Sequence, residues 1–298
     1  MHQHTHPSAP NRTLKIALVV TVLLVTGEMI AGRWASSLAL ISDAWHNLTD
    51  LPSIALALLA AFIERRPADH RKTYGYQRAG VLAAFVNSLL LLGVAAFILY
   101  EAYVRLLNPV PILTGVMVAV GLSALVINGG ISWGLASKSR EDINLRAIFI
   151  HNLGDAASNL GIVVGAIAIH YTGLSIIDPV LSVIISGMIG WSAWGILRET
   201  SNILLEGLPR GIDLLTVAQQ MLTVPGVQEV HDVHIWSLNS NRHALSCHVL
   251  ILDMVTSESE KIRLRLQQLL VTEFNITHCT IQFEHTNTIG KYHSIPKT

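Results

Sequence analysis

Two stretches decide how this chain folds: His46-Asn-Leu-Thr-Asp50 and His151-Asn-Leu-Gly-Asp155. Each sets a histidine four residues ahead of an aspartate, inside a run long and apolar enough to cross a membrane. On a helix, residues four apart share a face, so each copy presents an imidazole and a carboxylate in one direction. An Asp at membrane depth costs at least ~2.5 kcal/mol on insertion scales, so four polar groups there need partners or a task. A divalent metal ion supplies both.

Composition supports the membrane setting. The chain has 298 residues, 51% hydrophobic and only 13% charged, and its mean hydropathy is +0.48. Soluble domains carry about 25% charged residues, so an integral, multi-pass membrane protein is expected. The formal net charge of zero averages an apolar 14–197 and a polar 198–298, and nucleic acid is not an expected partner. The two cysteines, Cys247 and Cys279, both fall in the polar part. They offer no zinc-finger spacing and no disulfide framework, which fits a reducing compartment.

Six runs can span about 30 Å of hydrocarbon at about 1.5 Å per residue: approximately 14–33, 38–63, 80–104, 112–136, 145–170 and 176–197. The first lacks a clear small-x-small cleavage pattern and reads as a retained span. Basic residues collect on one side of the count: Arg12 and Lys15, then Arg65, Arg66, Arg71, Lys72 and Arg78, then Lys138, Arg140 and Arg146, then Arg198. The positive-inside rule makes that side cytoplasmic, with both termini. Small-residue stretches, Asn128-Gly129-Gly130 and Gly161 with Gly165, are expected to let helices approach closely. Asp43 reads either as part of a water-filled route or, by preference, as an interfacial carboxylate, and Asp178 before Pro179 as a carboxylate at the opening of the sixth span. Residues 1–13 form an expected cytoplasmic tail, whose His2, His4 and His6 read as part of an unstructured segment, with metal gathering by these histidines as the alternative.

Beyond Leu204-Leu-Glu-Gly-Leu-Pro209 the pattern becomes that of a small α+β domain, 205–298, after a transport domain of 14–204. A helix is expected at 213–223, strands at 228–237 and 243–252, a helix at 257–274 and a strand at 279–285, in the order αββαβ. The expected core is Val230, Val233, Ile235, Leu245, Val249, Ile251, Leu266, Leu269, Leu270 and Ile281. This domain holds His231, His234, His243, His248, His278 and His285. Period-two alternation turns His231 and His234 to opposite faces. His231, His248 and His285 come from different strands and form a candidate metal site, with Glu284 or Asp232 nearby.

Within the membrane, the two pairs supply two imidazole nitrogens and two carboxylate oxygens. This set suits tetrahedral Zn²⁺ better than the all-oxygen shells of Mg²⁺ or Ca²⁺. Without metal, adjacent carboxylates in low dielectric repel, and at least one ligand should take up a proton. Metal ligands must be deprotonated, so metal and protons compete for the same atoms. The expected function is therefore metal–proton antiport through His46, Asp50, His151 and Asp155. Two other readings exist: an intramembrane metal-dependent hydrolase, and a metal sensor acting through the cytoplasmic domain. Against the hydrolase, the chain has no HExxH and no separate general base, and four protein ligands leave no open position for water.

Residues along nearly the whole chain resemble the cation diffusion facilitator family of zinc transporters. They are Leu40-Ile-Ser-Asp-Ala-Trp-His-Asn-Leu-Thr-Asp50, Thr73-Tyr-Gly-Tyr-Gln-Arg78, His151-Asn-Leu-Gly-Asp-Ala-Ala-Ser158, Asp178-Pro-Val-Leu-Ser182, Leu204-Leu-Glu-Gly-Leu-Pro209 and Val230-His-Asp-Val-His-Ile-Trp-Ser-Leu238. The resemblance implies a homodimer of six-helix transmembrane bundles in a bacterial inner membrane, each with a ferredoxin-like cytoplasmic domain, exporting Zn²⁺ in exchange for protons. No organic cofactor is implied. It places the transport site at His46, Asp50, His151 and Asp155, and a His at the first position is associated with Zn²⁺ over Cd²⁺. It also implies a cytoplasmic zinc cluster at His231 and His248, with Glu284-His285 contributing. Some members hold a further zinc in the loop after the second span through Asp and two His. Here Asp69 is kept, while Lys72 and Tyr76 stand at the histidine positions.

Overall fold

A computed structural model describes residues 12–48, 62–63, 66, 68–136, 143–239 and 242–285. The tail with His2, His4 and His6, Asp50 with most of the second span, and Arg65, Lys138 and Arg140 lie outside the described residues. Apolar helices come first: α1 (Arg12–Ala35), α2 (38–48), α3 (Ala79–Leu107), α4 (Thr114–Leu135), α5 (Ile143–Thr172) and α6 (Ile177–Leu204). The polar end follows as α7 (Leu214–Leu222), β1 (Val227–Asn239), β2 (Arg242–Ile251), α8 (Thr256–Phe274) and β3 (Ile276–Glu284). Among the described residues, four helices (α3 to α6) hold stretches long and apolar enough to cross a membrane. Trp133, Val126, Tyr171 and Trp191 stay exposed on them, as a lipid-facing surface requires. The structure separates into two compact units, residues 1–55 with 87–195, and residues 56–86 with 196–298.

The first unit is organised around a buried carboxylate. Asp178, at the start of α6, accepts hydrogen bonds from the hydroxyl of Ser37 at 2.6 Å and from the backbone N–H groups of Leu38 at 2.6 Å and Ala39 at 3.2 Å. These N–H groups belong to the first turn of α2, which has no partners within its own helix. Asp178 therefore caps α2 from about 140 residues away, together with Ser37, whose hydroxyl accepts from the Leu40 N–H at 3.3 Å. That differs from the reading of Asp178 as a carboxylate serving its own helix. The preceding α1 ends at the left-handed Ser36 (φ 55). The guanidinium of Arg105 donates to the Ser36 carbonyl at 2.5 Å, and the Leu113 N–H donates to that of Ala35 at 3.0 Å.

The core of this unit is built from Leu40, Ala95, Met117, Ile162, Ala166 and Ile185 with their neighbours. Small residues do bring helices together, but at particular positions. A Cβ on Gly165 would run into the Leu181 side chain, and one on Gly121 would meet Val163 at 2.9 Å. Gly129, Gly130 and Gly161 meet nothing within 4 Å among the described residues, so of the expected positions Gly165 is the one where a close approach is seen. Periodicity marks small faces but not which of them meets a neighbour.

In the second unit, β1 pairs antiparallel with β2, and β2 pairs parallel with β3 across the α8 crossover. Val230, Val233, Ile235, Leu245, Val249, Ile251, Leu266 and Leu270 are buried in one cluster, while Leu269 and Ile281 pack against it partly exposed. β3 begins at Ile276 rather than 279, because α8 stops at Asn275, whose left-handed backbone (φ 53) turns the chain directly into the strand. At the start of α7, Asp213 accepts from the Thr216 N–H at 2.8 Å and its hydroxyl at 2.7 Å. These bonds hold the Asp213 carboxyl below its ordinary range.

Replacing Asp178 by Ala leaves the first-turn N–H groups of α2 buried and unpaired. Thermal or SDS unfolding of the purified protein should show a loss of about 2 kcal/mol, with Asp178→Asn retaining part of it. Equal stability of Asp178→Ala and wild type would mean that this carboxylate does not organise α2.

Candidate metal-binding sites

Within the first unit the two motif copies meet. His46 Nε2 on α2 lies 3.3 Å from Asp155 Oδ1 on α5. Asp155 is buried, and Asn159, one turn on, donates its side-chain amide to the Asp155 carbonyl at 2.9 Å. Of His151 only the helical backbone is described, so half of the expected four-ligand set is placed by its side chains.

Two acids share this polar interior. Glu28 of α1 is fully buried and accepts from the Asn47 side-chain amide at 3.2 Å. Asp43 is also fully buried; it faces Glu28, and both carboxylates feel the charge of Asp155. Asp43 is thus not an interfacial carboxylate, since α1 and α5 cover it. Glu28 was not among the expected site residues, although its signal is plain: it is the sole acid in the apolar run 14–33. Three carboxylates gathered in a helical interior are costly unless cations or protons offset them.

In the second unit, His231 on β1 pairs directly across the ladder with His248 on β2. Their rings meet edge to face, with centroids 5.5 Å apart. Glu284 at the end of β3 reaches both: Oε2 lies 3.3 Å from His231 Nε2, and Oε1 lies 3.1 Å from His248 Nδ1. Ligand atoms of these three residues all fall within 4.8 Å of one another. His231 Nδ1 and Nε2, His248 Nδ1 and Glu284 Oε2 are buried without an aligned hydrogen-bond partner. Two imidazoles and a carboxylate converging without hydrogen-bond geometry fit a zinc ion, whose ligands lie about 2.0–2.2 Å from the metal. His285 sits in a bend just past β3, exposed, and is not part of this group; Glu284 takes the place expected for it. The strand ends at Glu284, so the preceding residue, not His285, keeps the register.

A bulge also alters the expected facing of the β1 histidines. Asp232 has left-handed backbone (φ 50), and the register shifts between His231↔His248 and His234↔Ser246. The extra residue reverses the alternation, so His231 and His234 stand opposite residues two apart on β2, on one face. The Asp232 carboxylate then lies between His234 Nε2 at 3.1 Å and His248 Nε2 at 3.7 Å. Elsewhere, the Ser237 hydroxyl contacts His243 Nδ1 at 3.2 Å, and burial pushes the His243 pKa down. His278 meets the Tyr74 ring edge to face.

In the loop before α3, the Asp69 carboxylate is already satisfied. It accepts from the backbone N–H groups of Arg71 at 2.7 Å and Lys72 at 2.8 Å and from the Tyr76 hydroxyl at 3.0 Å. These bonds hold Asp69 below the usual carboxylate range. Nearby, Arg78 pairs with Glu206 at 3.3 Å and donates to the Ser237 carbonyl at 3.4 Å.

Apolar helices that bring His46 against a buried Asp155, followed by a polar α+β domain, are consistent with a membrane-embedded metal transporter. Residues 14–205 match the family model of the cation efflux transmembrane domain, and residues 209–286 that of the cation efflux protein cytoplasmic domain. The chain belongs to this cation efflux family, the cation diffusion facilitators, and is a transporter rather than an enzyme. It is 42% identical over 283 residues to the metal cation efflux system protein CzcD of Cupriavidus metallidurans, covering 95% of this chain and 89% of that protein. Over 288 residues it is 34% identical to the cadmium, cobalt and zinc/H(+)-K(+) antiporter of Bacillus subtilis, with 94% and 91% covered. The zinc transporter ZitB of Escherichia coli is 34% identical over 290 residues, with 95% and 92% covered. A solved structure of the metal-bound C-terminal domain of the CzcD transporter aligns with 24% of this chain and 99% of that chain at 45% identity, with a TM-score of 0.23.

The cysteines stand apart from the histidine cluster. Burial, with Cys279 and Asp232 nearby, pushes the Cys247 thiol up to about 12, and burial also raises Cys279. Because the thiolate is the reactive form, the folded protein at pH 8 should resist alkylation at Cys247 and label mainly at Cys279. Peptide mass analysis after timed iodoacetamide treatment checks this, with both sites labelling once denatured; rapid native labelling of Cys247 would contradict it.

Proposed function

We propose that this protein exports Zn²⁺ from the cytoplasm in exchange for protons, by alternating access of a four-ligand site made by His46, Asp50, His151 and Asp155. The observation that carries this reading is the 3.3 Å approach of His46 Nε2 to Asp155 Oδ1, which joins one motif copy to the other. Helical spacing assigns Asp50 and His151 to the same faces, four residues from each of these. The set has two neutral nitrogens and two anionic oxygens, which match the preference of zinc and cancel its charge. When the metal leaves, the carboxylates require protons, so each release loads the counter-substrate. Glu28 and Asp43 add to the negative field that draws the cation inward. The names of the zinc-transporting and proton-coupled antiporting relatives support the same ion and coupling.

The protein works as a homodimer of six-span bundles in the bacterial inner membrane, with residues 1–13 and the ferredoxin-like 205–298 on the cytoplasmic side. The basic loops and the match to the dimerising cytoplasmic domain support this arrangement. In that domain His231, His248 and Glu284 would hold a regulatory zinc, which biases the dimer toward the conformation that binds it better.

Reconstituted vesicles with an imposed pH gradient test the transport reading. Zn²⁺ flux should follow the gradient in wild type and fall more than about tenfold in Asp50→Ala and in Asp155→Ala. Undiminished flux in both variants, or flux indifferent to pH, would overturn it. For the cytoplasmic cluster, Glu284→Ala should weaken calorimetric zinc binding at that site by about tenfold or more, while flux through the membrane site persists. Unchanged binding would exclude Glu284 as a ligand.

A further inference from the structure

A second polar feature of the 56–86 and 196–298 unit has no part in metal binding. A cavity of about 610 Å³ is lined by Arg66, Thr73, Tyr74, Gln77, Arg242 and His278, with Ala68 and Gly75 completing the wall. Among the described residues no carboxylate lines it. The residues come from three places: the loop that follows the second span, the first residue of β2, and β3. Arg66 lies with its guanidinium 5.9 Å from the Phe62 ring, and neither it nor Arg242 has a carboxylate partner among the described residues.

Basic residues beside a span commonly do no more than set topology. That account covers Arg66 but not Arg242 and His278, which stand on strands of the folded domain and turn to the same cavity. Two guanidiniums facing one cavity repel unless an anion lies between them. Their planar forks match the oxygens of phosphate two at a time. Thr73 adds a hydroxyl. Gln77 adds an amide to the same wall. The volume is that of a small-ligand site and holds a phosphate with a glycerol-sized substituent.

We propose that this cavity binds a phosphate group, and that its source is the headgroup of an anionic phospholipid in the cytoplasmic leaflet. The lipid source rests on the membrane orientation proposed above, which puts Arg66 at the cytoplasmic end of the second span. Basic pockets at this depth are a known means of holding anionic headgroups. A phosphate here ties the loop to the sheet by neutralising one arginine from each, and so makes their association sensitive to the surrounding lipid.

The full-length protein in neutral detergent, without added zinc, is titrated with phosphatidylglycerol, with phosphatidylcholine and with inorganic phosphate, reading thermal stability and retained lipid by native mass spectrometry. Wild type should show saturable stabilisation by phosphatidylglycerol and none by phosphatidylcholine, and Arg66→Gln/Arg242→Gln should shift half-saturation upward by about tenfold or more. Arg66→Gln and Arg242→Gln singly guard against misfolding of the double variant, and Arg265→Gln, on the exposed face of α8, serves as the charge control. Stabilisation by inorganic phosphate alone, lost in the same variants, keeps the phosphate site and overturns the lipid source. Equal responses of wild type and the cavity variants, or an equal loss in Arg265→Gln, overturn the site itself. Because no metal flux is read, either failure leaves the transport reading standing on its own test.

Discussion

The carboxylate of Asp178 holds the transport domain in register. The α1–α2 junction packs three difficult features into a few residues: a left-handed Ser36, a helix start whose Ser37 hydroxyl serves only the Leu40 N–H, and an apolar setting. Asp178 receives the free N–H groups of α2, and Arg105 supplies a donor to the last carbonyl of the turn. In a low dielectric an unpaired backbone group costs far more than in water, so these two side chains from α6 and α3 determine where α2 begins. α2 carries His46, and its start therefore sets how that imidazole meets Asp155 on α5.

Around that contact the domain collects more acid than the two motif copies contain. Glu28 and Asp43 are enclosed with Asp155, and among the described residues Asn47, Asn159 and His46 lie near them. An interior with this excess is poised to take up cations, whether a metal ion or protons, and it disfavours any state with neither. The exchange of metal for protons proposed above is consistent with such an interior, since both compete for the same ligand atoms.

The polar unit solves a different problem. Its sheet buries aliphatic residues against α7 and α8 and leaves His231, His248 and Glu284 converging at the other face of the ladder. The bulge at Asp232 lets His234 share that face and sets a carboxylate between two imidazoles. In the loop before α3 the opposite has happened. Asp69 is consumed by local hydrogen bonds to Arg71, Lys72 and Tyr76, which leaves its oxygens occupied where a metal would need them free.

Much of this was legible from residue order alone, because hydropathy and periodicity are local properties. The apolar runs, the αββαβ succession, most of the polar domain's core and the paired His–Asp spacing follow from side-chain chemistry at fixed intervals. Glu28 was legible by the same rule, as a lone acid in an apolar run. What only the tertiary structure decided are the matters that depend on who lies opposite whom. Asp178 caps another helix, Gly165 rather than Gly161 admits a neighbour, Glu284 rather than His285 joins the histidines, and one left-handed residue reverses the facing of β1. Each turns on a single residue of register or on a contact between distant segments. Periodic patterns carry no information about these, since the free energy that selects them comes from desolvation and hydrogen bonding across the fold.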